Sequence, residues 1–258
     1  MPVHPTAIID PSAKIHPDAD IGPFCIIGPE VEIGARTRIM SNVVVEGPIS
    51  IGEDNLFFPF STVGVAPQDL KYKGERSETR IGSRNRIREF VTIHRGTEGG
   101  GLVTSVGDDN LLMAYVHVAH DVRIGNHCIL ANSATCGGHV EIGDWAVIGA
   151  GTGIHQFCRV GRHAMIGGYS VITQDVLPFA TTVSSREHHV FGANATGLER
   201  RGFEAASIEP LHTAMRILTR AGLNTAQALK RISLDVPATP EIAELLDFIA
   251  NSKRGFIK

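Results

Sequence analysis

The stretch AHDVRI GNHCIL ANSATC GGHVEI GDWAVI GAGTGI, residues 119–154, divides into hexads that each end on an apolar or sulfur-bearing side chain: Ile124, Leu130, Cys136, Ile142, Ile148 and Ile154. A helix repeats every 3.6 residues and a simple strand every two, so neither produces a period of six. Hexapeptide periods belong to parallel β-helices. Outward from this stretch the register reaches back through Val118 and Leu112 to Val106 and forward through Val160 and Ile166 to Ile172. An earlier phase runs in sixes from Ile9 to Val63 and returns at Ile81, Ile87 and Ile93. Of these 25 slots, 13 are followed directly by Gly, which is expected to serve corners that need a positive φ.

Each hexad is predicted to form a short strand plus a corner, and three hexads one triangular coil of 18 residues with the slot side chain pointing inward. Coils stack at about 4.8 Å, which places each slot residue over its equivalent in the coil before. A coil cannot bury its own inner face, so the repeat must be long.

The composition fits narrow coils: 43% of the 258 residues are hydrophobic but only 6% aromatic. A net charge of −3 argues against nucleic acid as the main partner. The four cysteines do not read as a disulfide framework. Cys25, Cys128 and Cys158 each follow a slot by four residues and Cys136 is itself a slot, so buried thiols in a reducing compartment are expected. Met1 to Pro5 carries no apolar signal core and no 18-residue apolar run exists, so a cytoplasmic location without a transmembrane segment is expected.

The sixes break over residues 64–80 and 94–105, which read as loops. A smooth solenoid offers little to hold a ligand, so inserted loops are where a site is built, unless they are merely tolerated on the surface. The expected organisation is a β-helix over residues 1–190 and a helical domain over residues 191–258. In the latter, Ile208, Leu211, Met215 and Leu218 have helical spacing, a second helix spans Thr225 to Ile232, and a third starts with Thr239 as N-cap and Pro240 as its first residue. Residues 200–258 hold 9 Lys+Arg against 6 Asp+Glu, leaving 15 against 21 before them. A basic tail suits an acidic partner, or is a solvated helix face.

Slots 18 residues apart share a face, so Val118, Cys136 and Ile154 form one column, with His120, His139 and His155 beside it. His94 joins if the gap from Ile93 to Val106 is one hexad plus seven inserted residues; otherwise it lies on another face. His127 and His163 are expected to be solvated. General-base chemistry fits the column, because His120 is followed by Asp121, whose carboxylate can hold the imidazole tautomer. Adjacent strand residues point apart, so the pair can meet only if the corner allows it. A metal would need ligands converging on one point; the γ-type carbonic anhydrases, which share this fold, use histidines five apart, and no such pair occurs among these. No metal and no cofactor is expected.

Seven segments carry a resemblance: Asp69-Leu70-Lys71-Tyr72, Arg84 to Glu89, Thr92 to Thr97, Asp109 to Met113, His117-Val118-Ala119-His120-Asp121, His155 to Cys158 and Arg200 to Phe203. Over nearly its whole length the chain resembles the UDP-N-acetylglucosamine O-acyltransferases of lipid A synthesis, within the left-handed β-helix acyltransferases. The resemblance implies an all-β left-handed parallel β-helix with a C-terminal α-helical domain. It implies transfer of an (R)-3-hydroxyacyl group from acyl carrier protein to the 3-hydroxyl of UDP-N-acetylglucosamine, by a homotrimer with sites in clefts between subunits. On the matching positions, His120 would be the base, Asp121 its partner and the Gly138 N–H an oxyanion donor. Asp69, Lys71, His94, His117, His139 and His155 would line the site, and Gln156, Asn194, Arg200 and Arg201 would contact nucleotide and donor. Gly168 would set acyl length, or is one more corner glycine. The chain departs from the family over Ser184 to Val190 and at Thr196, where relatives are often acidic. Two rivals stand beside this reading: the N-acyltransferase of the same pathway, which carries an extra N-terminal domain, and a catalytically silent scaffold.

Overall fold

The computed structural model describes residues 3–184, 188–220 and 222–257. Its strands form three flat sheets: nine strands from Ile8–Ile9 to Val171–Ile172, eight from Lys14–Ile15 to Arg159–Val160, and ten from Asp20–Ile21 through Met165–Ile166 to Ala180–Ser184 and His188–Ala193. The chain visits the first, second and third sheets in turn, and each strand pairs in parallel with the strand one coil away. This is a parallel β-helix of triangular section. The one antiparallel pairing joins the last two strands of the third sheet.

The slots are the core. In the first sheet Ile27 lies over Val45, Val45 over Val63, Val63 over Ile93, Ile93 over Val118, Val118 over Cys136 and Cys136 over Ile154. From Ile21 to Ile172 the slots are buried. Removing one such side chain typically costs about 2–5 kcal/mol. The pairing of Ile93 with Val118 also places His94 in the histidine column. All four cysteines are buried free thiols, and burial pushes Cys128 and Cys136 up to about 12.

The glycines act otherwise than expected. The left-handed corner residues stand three after the slot and are mostly not glycine: Phe60, Arg84, Asp121, His139, Trp145 and Phe157 all have φ between 57 and 66°. Glycines after the slot are there for close approach instead. A Cβ on Gly34 would lie 2.6 Å from the Gly52 carbonyl of the next coil, and one on Gly149 2.4 Å from the Gly168 nitrogen.

The outward rows of the three sheets differ. The second sheet presents Lys14, Glu32, Arg80, Arg123, Glu141 and Arg159. The first presents Ile8, Ile26, Val44, Thr62, Thr92 and Val171 without a charged residue among its central strand positions, and the upper part of the third presents Leu111, Ile129, Val147 and Met165. Where those two sheets meet, exposed Phe60, Phe90 and Tyr115 stack with centroids 5.3 and 4.8 Å apart.

The insertions are shorter than the sequence suggested, because strands run into them at both ends: residues 66–77 separate Thr62–Val65 from Glu78–Ile81, and residues 95–102 separate Thr92–His94 from Val103–Val106. The last strand crosses the expected junction at 190–191, and helices follow: α1 (Ala195–Arg200), α2 (Ala205–Arg220), α3 (Thr225–Asp235) and α4 (Pro240–Ala250). α1 was not anticipated; the other three match their sequence signals. The Thr239 hydroxyl caps α4 by accepting from the Ile242 N–H, and Asn224 and Gln227 form a capping box on α3. Of the divergent segment Ser184 to Val190, residues 185–187 lie outside the described residues. No helix among the described residues is long and apolar enough to cross a membrane.

Candidate active site

Both insertions leave the β-helix at the corner between the first and second sheets, in successive coils, and the histidine column stands at the same corner. Three residues 18 apart, Asp121, His139 and Phe157, occupy its left-handed positions. That conformation resolves the question of reach: with φ at 60°, Asp121 turns its carboxylate back onto its neighbour, and His120 Nδ1 lies 2.8 Å from Asp121 Oδ2. An acceptor on Nδ1 fixes the proton there and leaves Nε2 free as a base.

Asp121 is fully covered, and every polar contact it makes is satisfied. Its Oδ1 accepts from the Thr97 N–H at 2.9 Å, its Oδ2 from the Thr97 hydroxyl at 2.6 Å, and its own N–H donates to Thr104 Oγ1 at 2.7 Å. Gly100 lies directly above, where a Cβ would fall 2.0 Å from the carboxylate carbon.

His139 meets His120 edge-on at 5.1 Å, places Nε2 3.8 Å from Asp121, and stacks on Phe157 at 4.3 Å. Gly138 is buried, and a Cβ there would lie 2.6 Å from the His120 ring. No acceptor among the described residues takes the Gly138 N–H. His94 is buried against His117, which holds the Thr92 hydroxyl at 2.7 Å. Burial, then the neighbouring His117 and His120, pulls His94 down to about 4, and burial lowers His117 and His139 as well. The column therefore surrounds His120 with neutral imidazoles. His155 and Gln156 are exposed at the next turn of this corner, where the Gln156 carbonyl accepts from Arg254. Asp69 and Lys71 sit in the first insertion, where the Lys71 N–H donates to Asp69 Oδ1, and Asp69 is close enough to His139 to influence its charge.

The other expected residues lie elsewhere. Asn194 caps α1 by accepting from the Gly197 N–H, and its amide donates to the His163 carbonyl. Arg201 extends its guanidinium over Trp145 at 5.3 Å, and Arg200 is exposed on α1. Trp145 and His163 belong to the corner between the second and third sheets, up to about 20 Å away at one strand-and-corner per side. Gly168 stands at the third corner, outside the left-handed region, where a Cβ would meet only Ala150, at 3.2 Å from its carbonyl oxygen. That corner's geometry does not demand glycine.

Sequence reasoning placed His163 in solvent, and the structure overturns this. His163 is buried between Trp145 and Phe179, with Phe203 edge-on and its Nδ1 without a partner, and burial pulls it down to about 4. The signal was present in the 18-residue spacing of His127, Trp145 and His163. Thr97, Thr104 and Phe157 were also missed as site residues. His120, Asp121 and His139 offer atoms within 4.8 Å of one another, as a metal site would. An ion there would displace the hydrogen bonds that Asp121 already accepts, so the arrangement fits a hydrogen-bonded dyad better.

Family models match at both ends of this geometry: the bacterial transferase hexapeptide over residues 104–138, and the UDP-N-acetylglucosamine O-acyltransferase domain 2 over residues 175–257. The chain is 44% identical to LpxA of Acinetobacter baumannii, with 99% of each chain covered and a TM-score of 0.95. It belongs to the UDP-N-acetylglucosamine acyltransferase family. Further members are the LpxA of Bacteroides fragilis, at 45% identity with 99% of this chain and 100% of that one covered and a TM-score of 0.97, and the Arabidopsis enzyme, at 31%, 99%, 100% and 0.86. The family similarity thus spans both corners and the helices.

Proposed function

We propose that this protein transfers an (R)-3-hydroxyacyl group from acyl carrier protein to the 3-hydroxyl of UDP-N-acetylglucosamine, the first step of lipid A synthesis. The observation that carries the reading is the His120–Asp121 pair beside the untaken Gly138 N–H, in a chain of this family. A sugar hydroxyl is a poor nucleophile near neutrality, and a positioned base is worth about 10²–10⁴-fold. His120 Nε2 takes the hydroxyl proton as the oxygen attacks the thioester carbonyl, while Asp121 stabilises the resulting imidazolium. The Gly138 N–H donates to the developing oxyanion, a contact typically worth about 3–4 kcal/mol. Collapse expels the thiolate, which takes up a proton. A thioester is activated already, so the scheme uses no cofactor. His94, His117, His139, His155, Gln156, Asp69 and Lys71 line the acceptor and donor paths, and Gly168 leaves room for a long acyl chain.

Asn194, Arg200 and Arg201 reach this site only from another subunit, and a homotrimer supplies one. A cyclic trimer packs the first sheet of one chain on the third sheet of the next, with the aromatic corner at the axis. The uncharged outer rows of those sheets support this packing. It brings the outer edge of the first sheet, with His120, beside the outer edge of the neighbour's third sheet, with Arg201. The coil is left-handed, as the resemblance implies, with the junction to the helical domain near residue 190. The location is cytoplasmic, where acyl carrier protein is available.

The test is acyl transfer by the purified protein, using UDP-N-acetylglucosamine and (R)-3-hydroxyacyl carrier proteins of graded length. Product with the wild type and a loss of about 10²–10⁴-fold with His120→Ala is expected. Folded protein giving no product with any donor would overturn the reading.

A further inference from the structure

We infer that Thr97 is a positioning residue of this reaction, holding Asp121, and through it His120, in the reactive orientation. The inference rests on the reading of His120 as base. Thr97 comes from the second insertion, not from the repeat, and is buried. Its N–H binds one oxygen of Asp121 and its hydroxyl the other. A carboxylate held by His120 alone could swing about its Cβ–Cγ bond; one held at both oxygens cannot. The backbone beneath is pinned by Thr104, and the space above is closed by Gly100. The clamp is itself anchored: the next residue, Glu98, donates its N–H to Glu75 of the first insertion at 3.2 Å, and Glu75 Oε2 accepts from the Lys73 N–H. The loop carrying Lys71 is thereby tied to the residue that aims the base.

Thr97 touches no reacting atom, so its effect falls on the chemical step rather than on substrate affinity. Misplacement of about an ångström at a catalytic group costs up to about 10²-fold. Thr97→Val keeps shape and N–H but loses the hydroxyl, and is expected to lower kcat about 10-fold or more while KM for both substrates stays within about twofold. Thr97→Ser restores the hydroxyl and is expected to return kcat to within about threefold of wild type. Gly100→Ala perturbs the same carboxylate from the other side and gives the same kcat-only loss should Thr97→Val fold poorly. Steady-state kinetics on the folded enzyme, with wild type and His120→Ala in parallel, decide it. If His120→Ala is inactive while Thr97→Val and Gly100→Ala keep wild-type kcat, or if Thr97→Ser is as impaired as Thr97→Val, the positioning role is wrong and the general-base reading stands. If His120→Ala retains wild-type kcat, the reading beneath it falls first.

Discussion

Two corners of this β-helix carry the same kinds of side chain on the same backbone. One holds Asp121, His139 and Phe157, the other His127, Trp145 and His163; each set is spaced by 18 residues, and all six have left-handed φ. At the first, each polar atom of the dyad has a partner and the base stands open beside a free N–H. At the second, His163 is sealed among rings with its Nδ1 unpaired. The backbone is common to both, so the repeat provides positions and not chemistry. What differs is the covering: two polar insertions over the first corner, α1 and Phe203 over the second.

If the two corners form one site only across a subunit boundary, two inactive chains can repair each other. His120→Ala protein mixed with Arg201→Ala protein, after subunit exchange, is expected to recover about 25% of wild-type activity at equal proportions, since one site in four then draws both intact halves. Mixtures with no more activity than the separate variants would place both corners' residues at sites within one chain, against the trimer geometry.

The second prediction separates glycines by what lies above them. Gly138→Ala drives a methyl into the His120 ring and is expected to cost about 10²-fold in kcat/KM. Gly168→Ala, with only Ala150 near, is expected to leave turnover with a short donor within about threefold and to shift preference toward shorter acyl chains. Equal losses in both would mean that corner glycines act through the coil and not through the site.

The core was legible because inward-facing residues obey one rule: the slots from Ile21 to Ile172, the buried thiols and the column through Val118 all follow from a period of six. The site was legible only where resemblance supplied it. Periodicity brought His120 and His139 together, but it could not show that Asp121 would curl back, since that depends on a φ the slot pattern does not encode. Nor could it find Thr97, which lies in an insertion and meets Asp121 from 24 residues away. His163 was misread because its burial comes from Phe203 and the neighbouring rings, contacts made by a helical region outside the repeat.

The buried histidines also make a pH prediction. His163 is held neutral in the folded protein, at about 4 against an unfolded value near 6.5. Such a group binds its proton more readily when unfolded, so stability is intact above about pH 6.5 and falls as pH drops toward 4. His163→Phe removes the term. Between pH 7 and pH 5 the wild type is expected to lose about 2 kcal/mol more than the variant in urea unfolding. Equal losses would show that His163 is not held neutral. His94 responds in the same sense at the other corner, so a double variant with His94→Phe flattens the profile further.

The smallest effect concerns Trp145, the ring beneath Arg201. A cation over an indole face contributes about 0.5–2 kcal/mol, and here it holds in place a guanidinium proposed to meet the nucleotide of a neighbouring subunit. Trp145→Leu is therefore expected to raise KM for UDP-N-acetylglucosamine about fivefold with little change in kcat, and Trp145→Phe, which keeps an aromatic face, to raise it less. Because Trp145 also stacks on His127 and His163, a lowered melting temperature alone would not distinguish support for Arg201 from support for the ladder. The combination with Arg201→Ala does: if the ring acts through the arginine, Trp145→Leu adds nothing to KM once Arg201 is gone. An additive increase would assign the ring a contact of its own. The second corner would then be a binding surface in its own right, and its contrast with the first would be one of substrate against base, no longer of scaffold against site.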